Sequence, residues 1–318
     1  MERRNTCLSM VGLFIATPRL EDAHMPVFKR PSIFGMLDRR ASLGVFICLA
    51  LYMAGASAAE PKSLVLSVIP RLPATVIHRD WSPFSERLAQ AINMPVELRI
   101  FDAFADFESY AVSGQADLVF ANPYQLVLWR RHPGFIPLVR DDARQLSGIL
   151  VVRSDNPITS VHDLDGKQIA FPHPNAFGAS LYMRALLERE FGIRFTPVYV
   201  TSHANVYRNV ILGKTAAGGG VNITLNLESP PVRSLLRVLY ETPGVAAHPL
   251  SAHPRLSAAL REKITNAVLR MSEDEVGRGI LHRVALTQPV RADYARDYQR
   301  LENLRLDKYY VDTGVDER

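Results

Sequence analysis

The chain has 318 residues, 37 Lys and Arg against 32 Asp and Glu, two cysteines and an apolar fraction of 47%, a length that suits one large domain or two of about 100–150 residues. The formal charge of +5 falls to +2 when residues 1–59 are set aside, too little to support nucleic-acid binding. Both cysteines, Cys7 and Cys48, lie in that segment, so the remaining 259 residues have no disulfide, thiolate nucleophile or thiolate metal ligand.

Residues 39–59 read as a secretory signal. Arg39 and Arg40 precede an apolar run, Leu43 to Met53, too short for a stable membrane span, and Ala56-Ser57-Ala58 or Ser57-Ala58-Ala59 offers the small-residue cleavage pattern. The expected location is the periplasm; the alternative is an N-terminal anchor.

The elements after this segment alternate strand and helix. Leu64 to Ile69 is a continuous apolar strand of the kind buried on both faces. Trp81 to Ile92 is a helix with Phe84, Leu88, Ala89 and Ile92 on one side and Pro83 in its first turn. Val96 to Phe101 and Asp117 to Ala121 are strands, each followed by a helix (Ala105 to Ser113, Tyr124 to Arg131). Ile136 to Val139 and Ser147 to Val152 are further strands. After Asn156-Pro157 the rhythm restarts, with strands at Gln168, Thr196, Ala217 and Arg237 and helices at Ala176–Phe191 and Asn205–Leu212. A last helical block follows Pro254, and the charged residues beyond Asp293 suggest a solvated helix and tail. The pattern predicts an α/β protein of two lobes, residues 60–149 plus 244–318 and residues 150–243. Hinge candidates lie near Gly148–Val152 and Val238–Pro243.

Two strand ends carry the chemistry. Gln168 to Phe171 runs into the small-residue loop Pro174 to Ser180 and a helix; Val198 to Val200 ends in Thr201-Ser202-His203 and opens another. Helix N-termini present unpaired N–H groups and the positive end of the dipole, which suits a small oxyanion.

The segments LVLSVIP, GQADLVFANPYQ, DLDGKQIAFP, YVTSHANVYRNVILGK and VLYETPGVAAHPLSAHPRL resemble the phosphate/phosphite/phosphonate-binding periplasmic proteins of ABC transporters, over roughly Leu64 to Met271. The resemblance implies the type 2 periplasmic-binding-protein fold, each lobe a mixed sheet flanked by helices with the ligand between them, and capture of a small anion for a membrane permease. It matches His203 to a family histidine at the second helix start. It also exposes departures. The loop 174–180 lacks most of the Ser and Thr hydroxyls such proteins carry, Phe104 stands where an aromatic hydroxyl is expected, and Gly218–Asn222 offers no acid for a ligand amine.

The ligand candidates are Arg71, Asn122, Tyr124, Asn175, Phe177, Ser180, Ser202 and His203. Each has a plainer alternative: Arg71 solvated, Asn122 and Ser202 as helix caps, Tyr124 packed in the first lobe, Asn175, Phe177 and Ser180 closing the loop, His203 in a local bond. Gly218 to Gly220 permits close approach of either ligand or backbone. His248 and His253 resemble a metal pair, but Pro249 and Pro254 break the spacing, and no metal or other cofactor is expected. No GxSxG, HExxH or P-loop pattern occurs, so an enzyme is disfavoured. A monomeric transport receptor is the first reading. A ligand-sensing or accessory protein of the same fold, whose main partner is a membrane sensor or another protein, is the second.

Overall fold

The computed structural model describes residues 61–311. The predicted signal, residues 39–59, lies outside the described residues. The first lobe opens with β1 (Leu64–Val68), α1 (Ala74–Ile92), β2 (Val96–Arg99), α2 (Phe104–Val112), β3 (Leu118–Phe120), α3 (Pro123–Arg131) and β4 (Ile136–Asp141). The second holds β5 (Gly148–Arg153), β6 (Gln168–Phe171), a wide helical turn (Phe177–Leu181) running into α4 (Tyr182–Arg189), β7 (Thr196–Tyr199) and α5 (His203–Ile211). It closes with β8 (Ala217–Val221), α6 (Asn222–Asn226), α7 (Pro230–Ser234) and β9 (Leu236–Glu241). The chain then returns through β10 (Leu250–Ala252), α8 (Ala258–Arg270), α9 (Glu275–Arg283) and β11 (Pro289–Arg291).

Two mixed sheets result, in the orders β11-β4-β10-β3-β1-β2 and β7-β6-β8-β5-β9. In the first, β2, β1 and β3 are parallel and β10 runs antiparallel beside β3. In the second, β7, β6 and β8 are parallel and β5 runs antiparallel beside β8. Strand β5 shows the period of two that buries a sheet on both sides: Leu150 and Val152 join Phe171 and Met183 in one core, Ile149 and Val151 join Val206 and Tyr207 in the other. A third core covers the first sheet and continues into the second lobe through Phe177, Leu181 and Tyr182.

Three expectations need correction. Helix α1 begins at Ala74, not Trp81, because Pro73 caps it and Ile77 extends the buried stripe of Trp81, Phe84, Leu88 and Ile92 by one more turn. Pro83 therefore lies inside the helix, where one backbone bond is lost. The unforeseen three-residue strands β10 and β11 complete the first sheet on both sides of β4. The segment after Asp293 is no solvated tail: its short helical turns bury Tyr298, Leu301, Leu306 and Tyr309.

That C-terminal segment straps the two lobes together. On the first lobe the Leu306 N–H donates to the Tyr124 hydroxyl at 3.1 Å, and the Tyr298 hydroxyl donates to the Ala247 carbonyl at 2.9 Å. On the second, Arg184 donates to the Tyr309 carbonyl and Arg189 to the Leu304 carbonyl, each at 2.8 Å. Asn175 both donates to the Val311 carbonyl and accepts from its N–H, at 2.8 and 2.9 Å. The chain crosses between sheets just before β5 and just after β9. The two crossings are tied by reciprocal backbone hydrogen bonds between Leu146 and Val245, at 2.9 and 3.0 Å.

Candidate binding site

The carboxyl ends of the parallel strands in both sheets converge on one cavity of about 40 Å³, the usual place for a ligand in open α/β sheets. From the first lobe come Ile69-Pro70-Arg71 after β1, Phe104 at the start of α2, Asn122 after β3 and His248 before β10. The second lobe contributes Pro172-His173 and Ala176 to Ala179 after β6, Thr201-Ser202-His203 after β7, and Val221 at the end of β8. Leu146, from the crossing, completes the wall. The volume accommodates roughly three water-sized groups, which favours a compact anion over a sugar or peptide. No Asp or Glu lies on the wall.

Two helix starts reach this cavity because of a glycine run. Strand β8 passes between the wide turn at Phe177 and α5, and there is no space for side chains there. A Cβ on Gly219 would run into the Ala179 carbonyl oxygen, and one on Gly220 into the Tyr207 hydroxyl. The glycines thus admit backbone and neighbouring side chains rather than ligand. At the turn, the first returning backbone bonds run from Ser180 and Leu181 N–H to the Ala176 carbonyl, at 2.8 and 3.0 Å. Phe177, Gly178 and Ala179, whose amides precede them, line the cavity. At α5, Ser202 caps by accepting from the Asn205 N–H at 3.2 Å, and the His203 and Ala204 amides of that end have no acceptor among the described residues. Thr201, just before the cap, has φ = 68°, a strained value for a β-branched residue.

The charge is concentrated at Arg71. Its guanidinium has no carboxylate partner among the described residues, stands 5.7 Å from the Phe120 ring, and is held down to a pKa of about 10 by burial. Beside it, burial and then Arg71 lower His203 to about 4. The same causes, with His203 added, push His248 well below its ordinary value. His173 is lowered to about 4 by burial and then Arg184, and stacks on Phe104 at 4.4 Å. Three neutral imidazoles and one uncompensated cation therefore share the space, and an arriving anion is the partner this set lacks.

Of the sequence candidates, Arg71, Asn122, Phe177, Ser202 and His203 lie on the wall; Tyr124, Asn175 and Ser180 do not. Asn122 is there as a cap: its Oδ1 accepts from the Tyr124 and Gln125 amides, and its Nδ2 donates to the Asn175 carbonyl at 3.3 Å. Tyr124 lies behind the wall, stacked on Phe177 at 6.1 Å. The Asn175 side chain is committed to Val311 and to Glu108. Ser180 accepts from Arg184 Nε at 3.2 Å. His248 was missed because β10 was missed. Once β10 is placed antiparallel to β3, its leading segment falls beside the carboxyl end of β3, while His253 packs on Phe135.

The sequence matches the family of phosphonate-binding periplasmic substrate-binding proteins of ABC transporters over residues 66–298. The chain belongs to this family. Its members are the substrate-binding components of transporters, a role set in the periplasm. Among solved structures, PhnD1 from Prochlorococcus marinus in complex with methylphosphonate has a TM-score of 0.69 at 19% identity, covering 78% of this chain and 100% of that one. A binding-protein component of an ABC phosphonate transporter from Pseudomonas aeruginosa, PA3383, has a TM-score of 0.69 at 13% identity, covering 81% and 90%. XAC2383 from Xanthomonas citri, bound to chloride ion, has a TM-score of 0.68 at 18% identity, covering 79% and 100%. Comparison with curated sequences returns no match. The likenesses establish the two-lobe type 2 periplasmic-binding fold expected from the strand and helix pattern.

Proposed function

We propose that this phosphonate-family receptor captures a phosphonate with a short, uncharged substituent and passes it to an ABC permease as a monomer, without altering it. One observation carries the reading: Arg71, a cation with no carboxylate partner among the described residues, walls a 40 Å³ cavity onto which two helix starts open. Arg71 and the amides of Phe177 to Ala179 and His203 take the anionic oxygens. Ile69, Pro70, Phe104, Leu146 and Val221 take the substituent. An ammonium on the substituent would be desolvated with no acid beside it, which disfavours aminoalkyl ligands. Of the wall hydroxyls, Thr201 donates to the Val200 carbonyl, whereas Ser202 Oγ accepts from the Asn205 N–H and keeps its own proton to donate to an anionic oxygen.

The test is calorimetric titration of the ligand-stripped protein with methylphosphonate, phosphite, phosphate and 2-aminoethylphosphonate. Methylphosphonate binds, and the aminoethyl compound is at least about tenfold weaker, the cost of burying one poorly paired charge. Equal or tighter binding of the aminoethyl compound rejects the assignment of the substituent pocket. No binding by any of the four rejects the anion site.

A further inference from the structure

Thr224, on α6, is buried behind the cavity wall and is not part of it. Its hydroxyl has one proton and two acceptor positions. Oγ1 lies 3.0 Å from the Val221 carbonyl oxygen, which can only accept, so the proton is donated there. The Tyr207 hydroxyl, 2.8 Å away, and His203 Nδ1, 3.3 Å away, are then both donors to Thr224 Oγ1. His203 accordingly carries its ring proton on Nδ1. Its Nε2 has no hydrogen-bond partner among the described residues, and His203 lines the cavity whereas Thr224 does not. The nitrogen that remains for a ligand is a bare acceptor.

Given the anion reading above, we propose that the cavity selects a monoprotonated tetrahedral anion, whose P–OH donates to Nε2 of His203 while Arg71 and the helix amides hold its deprotonated oxygens. Thr224 is the positioning residue that sets the ring for this. The groups around the imidazole keep it neutral. Burial and then Arg71, on the loop after β1, oppose a second ring proton on His203, and the neighbouring His248, on the approach to β10, is itself held neutral by burial and Arg71. Tyr207 on α5 is kept neutral by burial, and Glu228 acts on it in the same direction. A fully deprotonated oxyanion such as sulfate would set an oxygen lone pair against that of Nε2 and find no donor there. A site built around one hydrogen bond rejects a ligand unable to make it.

The experiment combines titration of methylphosphonate from pH 5.5 to 9, titration of sulfate, and nitrogen-15 spectra of the histidine rings in the ligand-free protein. The expected affinity is level below the second ionisation of methylphosphonate and falls about tenfold per pH unit above it. Sulfate binds at least about a hundredfold more weakly, and His203 shows the Nδ1–H tautomer. In Thr224→Val the tautomers mix and the margin over sulfate narrows. Affinity that stays level or rises above the second ionisation, sulfate binding on a par with methylphosphonate, or an Nε2–H spectrum overturns the proposal. If Thr224→Val does not fold, the wild-type pH profile and ring spectrum decide. Failure of methylphosphonate, phosphite and phosphate alike to bind overturns the anion reading instead.

Discussion

Arg71 is a liability to the folded protein until a ligand arrives. Partial burial with no carboxylate partner among the described residues costs stability, and the same lack of a partner is what attracts an anion. Arg71→Ala is expected to weaken methylphosphonate binding by about a hundredfold, close to 3 kcal/mol. The melting temperature of the ligand-free protein should stay level or rise. A fall in melting temperature with affinity unchanged would show Arg71 to be structural. The histidines give a second residue-level expectation. His173 and His203 are held at about 4, and His248 well below its ordinary value, against 6.5 for the unfolded chain. Between those values the unfolded state binds more protons, so stability is fully present above about pH 6.5 and is lost as pH falls toward 4. Thermal melts across that window should show the slope, and His248→Asn should flatten it. A wild-type profile that is level from pH 6.5 to 4 would exclude buried neutral imidazoles.

At the scale of elements, what the sequence made legible were the junctions where pattern and chemistry coincide. Gln168 to Phe171 is a strand in both reading and structure, and Ser202-His203 opens a helix in both. Such signals are local: an apolar run, a cap, a glycine. What stayed hidden depends on distant partners. Strands β10 and β11 have three residues each, too few to show a period, and exist because β4 lies between them. The first turns of α1 hide behind His78-Arg79-Asp80. Asn175 reads as a loop residue near a ligand and serves as a bracket for Val311, 136 positions away. The glycine run offered two readings that only packing separates. Gly219→Ala places a methyl against the Ala179 carbonyl, and a loss of more than about 2 kcal/mol is expected, a drop of roughly 5 °C in melting temperature. An unchanged melt would mean that β8 and the Phe177 turn can separate freely.

For the whole molecule, the C-terminal strap is expected to couple closure to binding. Its bonds to Asn175, Arg184 and Arg189 reach the second lobe from a segment anchored on the first, so they favour the closed arrangement without touching a ligand. Asn175→Ala should therefore weaken methylphosphonate binding by roughly tenfold through a smaller closed fraction. Small-angle scattering of the ligand-free variant should give a larger radius of gyration than wild type. Identical affinity and radius would leave the strap without a part in closure.

One residue of the tie between the crossings, Leu146, is also a wall of the cavity. The occupant therefore bears on the pivot itself, with no relay in between. Because Leu146 and Val245 hold each other by two backbone bonds, a rotation of the lobes about this pair would bend both crossings together, as a torsion bar with one angle. A compact guest lets that bar relax fully. On the proposed clamp, one too bulky for the chamber would press on Leu146 and hold the jaws ajar, so the molecule would gauge the size of its cargo at its own axle.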